Sequence, residues 1–260
     1  MILLFLSCST NFIYFDDDII RMNGGAKMNR MELKILALIT MTIDHIGFFL
    51  IPQNSEIYIY FRLIGRLAFP IFAFMIAEGY YHTKNLKKYF FRLLRLAIIF
   101  EAILLFIYMM FDYNMTHIPF LENRIALVNI MWTMILGFLG LYVIDHYHKK
   151  GVILLIPLLA LSYFSSYSVY GFLMILSFGL LKDMRKKELA FIALTLLYSL
   201  LPLVLPQEGF SGINFVQMFA IFTIVFIHEY NGLPGKYRLR FFYVYYPIHI
   251  VVLFLISYYT

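Results

Sequence analysis

"LKILALITMTIDHIGFFL", residues 33–50, is as long as the stretch of about 20 apolar residues that carries a helix across a bilayer. Two adjacent ionisable residues, Asp44 and His45, stand in its second half, and nothing beside them signals a turn. A carboxylate or an imidazolium is costly to hold in hydrocarbon. The pair is therefore either satisfied by partners or placed there for chemistry.

The rest of the chain fits a membrane setting. Of its 260 residues 62% are hydrophobic and only 14% charged, and mean hydropathy is +0.81. Soluble domains are about half apolar and a quarter charged. The excess falls in segments of mostly about 18–25 residues, which is the length of bilayer crossings. These read as nine spans over 33–52, 57–81, 88–111, 122–146, 150–165, 168–182, 188–205, 212–229 and 239–259. The expected class is an all-α polytopic protein with one transmembrane domain over 31–260. Residues 1–30 read as a poorly ordered or non-native extension, with Met28 or Met31 as the expected start. The single cysteine, Cys8, excludes an internal disulfide and cysteine-based metal centres.

Lysine and arginine set the orientation. With the N-terminus in the cytoplasm, the even-numbered connections are cytoplasmic, and 18 of the 21 basic residues lie on that side. "PQNSE" (52–56), "SYFSSYS" (162–168) and "PQEGFSG" (206–212) hold none. This alternation follows the positive-inside rule and puts the C-terminus outside. The net charge of +6 is thus a topology signal and not a nucleic-acid one. A multi-pass protein of the plasma membrane is expected. Three basic residues depart from the pattern: Arg62 and Arg66 inside the second span, and Arg124 at the outer mouth of the fourth.

A helix rises 1.5 Å per residue, so position gives depth. His45, Arg62, Arg66, Glu101, Asn129, Thr133 and His249 come from five spans and share one band, about 8–16 Å from the outer end of each. Arg62 and Arg66 are spaced i, i+4, as are Asn129 and Thr133, so each pair projects from one face. Unpaired charges are rare in lipid, so these groups are expected to converge. Lys34, eleven residues before His45, lies within about 20° of the same helix direction and about 16 Å away. That stripe suits an elongated ligand with an anionic head in the cytoplasm and a reactive end at mid-membrane.

The runs "LKILALITMTIDHIGFFL" and "RLIGRLAFPIFAFMIAEGYYHTKNLKKYFFRLL", with "NIMWTMILGFLGLY" and "FFYVYYPIHIVVLFLI" further on, resemble the TraX family, membrane proteins linked to acetylation of pilin. The resemblance covers most of the chain from Met31 and is densest over 33–95. A broader similarity is to transmembrane acyltransferases of the acyltransferase-3 type, which place Arg, ten residues, then His on the first membrane helix. This chain has Lys34 in place of that Arg. The resemblance implies acetyl-CoA as a donor bound from the cytoplasm, and an acceptor on the outer side: a peptide N-terminus, a glycan or a lipid head group.

Acyl transfer needs a base, a site for the carbonyl oxygen and exclusion of water. His45 is the expected base, since imidazole titrates near neutrality. Asp44 projects about 100° away from it, so it is expected to pair with an arginine, or to orient His45 or His249 through water. Arg62 and Arg66 would hold donor oxygens or the developing oxyanion, Lys34 would meet the donor's anionic head, and Lys84, Lys87, Lys88, Arg92 and Arg95 would attract CoA phosphates. Glu101, Asn129, Thr133 and His249 are the acceptor-side candidates. Plain alternatives stand beside these roles. Asp44 with an arginine could be a structural ion pair, Asn129 and Thr133 could only join helices, and the cytoplasmic lysines follow from topology alone. Glu78 and His82 read as a helix end before a metal site, and no metal is expected. Asp145, His146 and His148 read as a solvated face. The competing classes are a proton-coupled carrier using Asp44, Glu101, His45 and Arg66, and a scaffold in which these residues only lock helices.

Overall fold

The computed structural model describes residues 27–111, 129–204, 213–235 and 242–259. Arg124, the basic residues Lys236, Arg238 and Arg240, the connection 206–212 and nearly all of the 1–30 extension lie outside the described residues. Within them the chain is helical. The helices are α1 (Arg30–Leu50), α2 (Glu56–Gly65), α3 (Ala68–His82), α4 (Leu86–Phe111), α5 (Ile130–Ser162), α6 (Ser168–Leu180), α7 (Met184–Val204), α8 (Ile213–Met218), α9 (Thr223–His228) and α10 (Phe242–Tyr259). Among the described residues, three stretches are long and apolar enough to cross a membrane: Arg30–Leu50, Glu56–His82 and Ile130–Ser162. Ser168–Leu180, Phe215–His228 and Val244–Tyr259 are shorter apolar helices.

Local sequence explains the starts and breaks. Asn29 caps α1: its side chain accepts from Met31 and Glu32 N–H, and Glu32 reaches back to the Asn29 N–H at 2.8 Å, a capping box. The stretch expected as the second span is two helices meeting at Arg66 and Leu67, where the backbone N–H groups bond three residues back instead of four. Pro70 is the cause. It has no N–H for the Arg66 carbonyl, and its ring crowds that carbonyl. The fourth and fifth expected spans are joined through His148, which has φ 47° and ψ −123°. A Cβ on Gly151 would lie 2.5 Å from the Val143 carbonyl oxygen, so the chain reverses sharply there and α5 is two arms, 130–147 and 149–162. The eighth expected span is not one α-helix. A 3₁₀ turn over Phe219–Phe222 divides α8 from α9, and the two phenylalanines pack at 4.8 Å, since residues three apart eclipse in that geometry.

The core lies around α3, which packs on α1, α5 and α6. Phe69, Phe74, Phe138, Phe172 and Phe178 are fully buried in it. Small residues let α5 and α6 approach, with Gly137 against Ile175 and Gly179 against Leu141. On the other flank α10 packs against α1 and α4. Three elements thereby face one another beyond the middle of α1: α1 itself, the α2–α3 junction and α10.

Candidate active site

Asp44 is held by two guanidinium groups. Arg62 Nη1 lies 3.0 Å from Oδ1, and Arg66 Nη2 lies 3.0 Å from Oδ1 and 3.2 Å from Oδ2. Asp44 and Arg66 are each only 14% exposed. Arg66 also donates from Nε to the Arg62 carbonyl at 3.2 Å, which fixes its fork. Arg62 stands over the rings of Phe48, at 5.7 Å, and Tyr58, at 6.0 Å. Glycine makes room for this arrangement. A Cβ on Gly65 would collide with Asp44, and one on Gly47 would lie 2.6 Å from Phe61 Cβ. The Asp-His-Ile-Gly and Gly-Arg pieces of sequence therefore form one interface, in which each glycine admits the other helix.

His45 turns away from Asp44, toward α10. Its Nδ1 is 2.8 Å from Nε2 of His249, and His249 Nδ1 is 3.0 Å from the Tyr245 carbonyl oxygen. A carbonyl can only accept. His249 Nδ1 therefore carries the proton, and with both rings neutral its Nε2 accepts from His45 Nδ1. His45 Nε2 is left with its lone pair and has no hydrogen-bond partner among the described residues. The chain Tyr245 carbonyl–His249–His45 thus selects a single tautomer, with the basic nitrogen at its end. Tyr245 also clamps the pair from the side. Its ring stacks on His249 at 5.2 Å, and its hydroxyl lies 2.6 Å from Thr42 Oγ1. Thr42 donates its own proton to the Leu38 carbonyl, so Tyr245 is the donor to Thr42.

The other candidates divide into two groups. Asn129 is buried and caps α5. Its Oδ1 accepts from Met131 N–H at 2.8 Å, and its Nδ2 donates to the Ala97 carbonyl at 2.8 Å and to Glu101 Oε2 at 3.1 Å. Glu101 Oε2 also accepts from Trp132 Nε1 at 3.0 Å. Thr133 is buried and donates to Ser165 Oγ at 2.9 Å. Lys34 lies toward the opposite end of α1, within electrostatic reach of Arg30 and Arg92. Lys84 and Lys88 are exposed. Glu78 pairs with His82 at 3.2 Å and with the buried Lys187 at 3.4 Å, and Tyr80 donates to Asp145 at 2.9 Å. The two His residues and the two arginines found by their depth do converge, whereas Thr42 and Tyr245 were missed. Their signal was spacing: Thr42 precedes His45 by three residues, and Tyr245 precedes His249 by four.

The family model described as TraX protein matches residues 29–257, nearly all of the described structure. The chain is 27% identical over 241 residues to the probable fimbrial assembly protein FimC, serogroup H1, of Dichelobacter nodosus, covering 89% of this chain and 97% of that one. It is 47% identical over 49 residues to an uncharacterized protein of Rickettsia prowazekii (strain Madrid E), a match to 19% of this chain and 18% of that one. No solved structure matches. With its apolar helices and a match over most of its length, the chain is a membrane protein that belongs to the TraX family.

Proposed function

We propose that this protein is a multi-pass acetyltransferase of the plasma membrane. It moves an acetyl group from cytoplasmic acetyl-CoA to an acceptor on the outer side. In this reading residues 31–260 form one transmembrane domain of nine spans, with the N-terminus in the cytoplasm and the C-terminus outside. The observation that carries it is the His45 Nε2 lone pair, set by the Tyr245–His249 chain and flanked by an arginine-held carboxylate.

His45 Nε2 takes the proton of the acceptor as its O or N attacks the acetyl carbon. The carbonyl electron pair moves to oxygen in the field of Arg62 and Arg66, whose charge exceeds that of Asp44 by one. Collapse of the intermediate breaks the C–S bond, and the proton on His45 passes to the CoA sulfur. Asp44 fixes the two arginines. Lys34, Lys84 and Lys88 attract the CoA phosphates, with Arg30 and Arg92 beside Lys34. Glu101, Asn129 and Thr133 shape the acceptor side by holding α4, α5 and the start of α6 together. The name of the Dichelobacter nodosus relative ties that protein to fimbrial assembly, which makes a peptide amine the first acceptor to try, before sugar and lipid acceptors.

The carrier reading is weaker. Asp44 is held by two guanidinium groups, and Glu101 Oε2 already accepts from two N–H donors, so both acids are engaged within the fold. The test is acetyl-CoA turnover by the purified protein in lipid nanodiscs, with water standing in for the acceptor. Wild type should release CoA slowly, and folded His45→Ala should lose about 1,000-fold, within the range of general-base catalysis. A wild-type protein that neither binds nor consumes acetyl-CoA would sink this reading and return the carrier to first place.

A further inference from the structure

Tyr167 is a phenol placed with unusual care for a group whose hydroxyl makes no hydrogen bond among the described residues. Its ring stacks on Phe69 at 3.6 Å with planes 9° apart. Its backbone N–H donates to Thr133 Oγ1 at 3.3 Å. A Cβ on Gly171, the next turn of α6, would lie 2.6 Å from Tyr167 Cβ, so only glycine leaves the tyrosine its place. The residue after it, Ser168, has φ 48°, a left-handed conformation that side chains other than glycine and asparagine rarely adopt. Such strain persists only where surrounding contacts impose it, and it gathers at functional sites. Ring, backbone and turn are all fixed, yet the hydroxyl has no hydrogen-bond partner among the described residues, and the side chain remains partly accessible. A partly accessible hydroxyl that no protein group uses is open to a ligand, and its fixed placement asks for a reason.

Its position supplies one. Phe69, on which it stacks, lies three residues beyond Arg66 through a near-helical backbone, about one helical turn. Tyr167 is also within electrostatic reach of Arg66, Asp44 and Arg62, whereas the neighbouring Tyr198 is in reach of Arg66 and not of the other two. Arg66 is fixed in orientation, with its Nη2 on Asp44 and its Nε on the Arg62 carbonyl. The cluster supplies charge, and the Tyr167 O–H within its electrostatic reach is a directional donor.

We propose that Tyr167 is a further catalytic residue, the hydroxyl donor to the thioester carbonyl oxygen of the acyl donor as that oxygen becomes an oxyanion. The inference rests on the acetyl-transfer reading above. The acceptor O or N bonds to the acetyl carbon and its proton goes to His45 Nε2. The carbonyl pair moves onto oxygen, and Tyr167 O–H donates to it without losing its proton. The pair then returns, the C–S bond breaks, and the CoA sulfur takes the proton from His45. A donor aimed at the oxyanion acts in the transition state and leaves ground-state binding almost unchanged.

Acetyl-CoA hydrolysis in nanodiscs separates the possibilities. Phenylalanine at 167 keeps the ring stack and the backbone hydrogen bond. Tyr167→Phe is expected to lower kcat about 100-fold with KM within about twofold, the signature of a lost oxyanion donor. Tyr198→Phe should stay near wild type. If Tyr167→Phe folds poorly, 3,5-difluorotyrosine at position 167 keeps the shape and changes only the acidity of the phenol, and kcat should move while the melting temperature does not. Wild-type kcat in Tyr167→Phe, or a raised KM at unchanged kcat, overturns the proposal. So does a fluorotyrosine variant with unaltered kcat. Turnover that is lost in His45→Ala but intact in Tyr167→Phe removes this inference alone. No turnover in wild type removes the acetyl-transfer reading with it.

Discussion

Asp44 and Asn129 each gather groups from other helices around a polar side chain in an apolar setting. They spend their hydrogen bonds differently. Asn129 uses its oxygen on its own helix start and its nitrogen on the Ala97 carbonyl and Glu101, so every atom it offers is taken in closing a helix end. Asp44 uses its oxygens to hold two cations, and the histidine beside it passes a hydrogen bond along a chain that ends on an unshared ring nitrogen. The first arrangement satisfies the backbone. The second spends several residues to leave one atom reactive. Polar residues at similar depth can thus be told apart by asking which atoms remain unused.

The comparison can be broken most severely at Asp44. Asp44→Ala leaves two arginines facing each other in an enclosed site, and removing one partner of a buried ion cluster costs about 3–5 kcal/mol. It should give the lowest melting temperature of any single variant in detergent, and a wild-type melt would show that the arginines do not depend on it. Gly65→Ala comes next. The added methyl collides with Asp44, overpacking costs about 1–3 kcal/mol, and a shift of about 1 Å at the site costs about 100-fold in rate. Activity should fall further than stability does, which combined turnover and melting measurements would reveal. Asn129→Ala loses a helix cap, worth about 1 kcal/mol. It should melt earlier while turnover per folded molecule holds, and a large kcat loss would move Asn129 into the site. Lys88→Gln, at an exposed position, should change stability by less than about 0.5 kcal/mol. Its KM for acetyl-CoA should rise, and an unchanged KM would remove Lys88 from the donor's phosphate contacts.

Much of this was visible in the residues themselves. The helical class follows from the lengths of the apolar runs, and the meeting of Asp44 with Arg62 and Arg66 follows from the cost of stranded charge in hydrocarbon. Helix geometry also indicated that Asp44 and His45 look in different directions. What the linear pattern did not contain was lateral distance. It could not rank His249 above Glu101 as the neighbour of His45, since both lie at suitable depth. The 3₁₀ turn at Phe219 has no proline or glycine to announce it and arises from packing. The break at Arg66 was readable from Pro70, four residues on. Tyr167 stayed hidden because tyrosine near a helix start in a membrane protein is ordinary; only the stack on Phe69 and the strained Ser168 set it apart.

The short segment before α1 has a mechanical meaning. Met28 and Arg30 donate backbone hydrogen bonds to the Glu229 and Leu233 carbonyls, Asn231 donates to Met28, and Arg30 Nε reaches the Tyr230 hydroxyl at 3.2 Å. Gly235, at φ 80°, lets that stretch lie against Asn29 and Met31. The helix that carries His45 is thus tied at its start, about 22 Å from the imidazole, to a segment that precedes the other histidine helix in the chain. Shortening the chain to Met31 would remove the Met28 hydrogen bonds and the Asn29 cap, and should loosen that tie with no substitution near either ring.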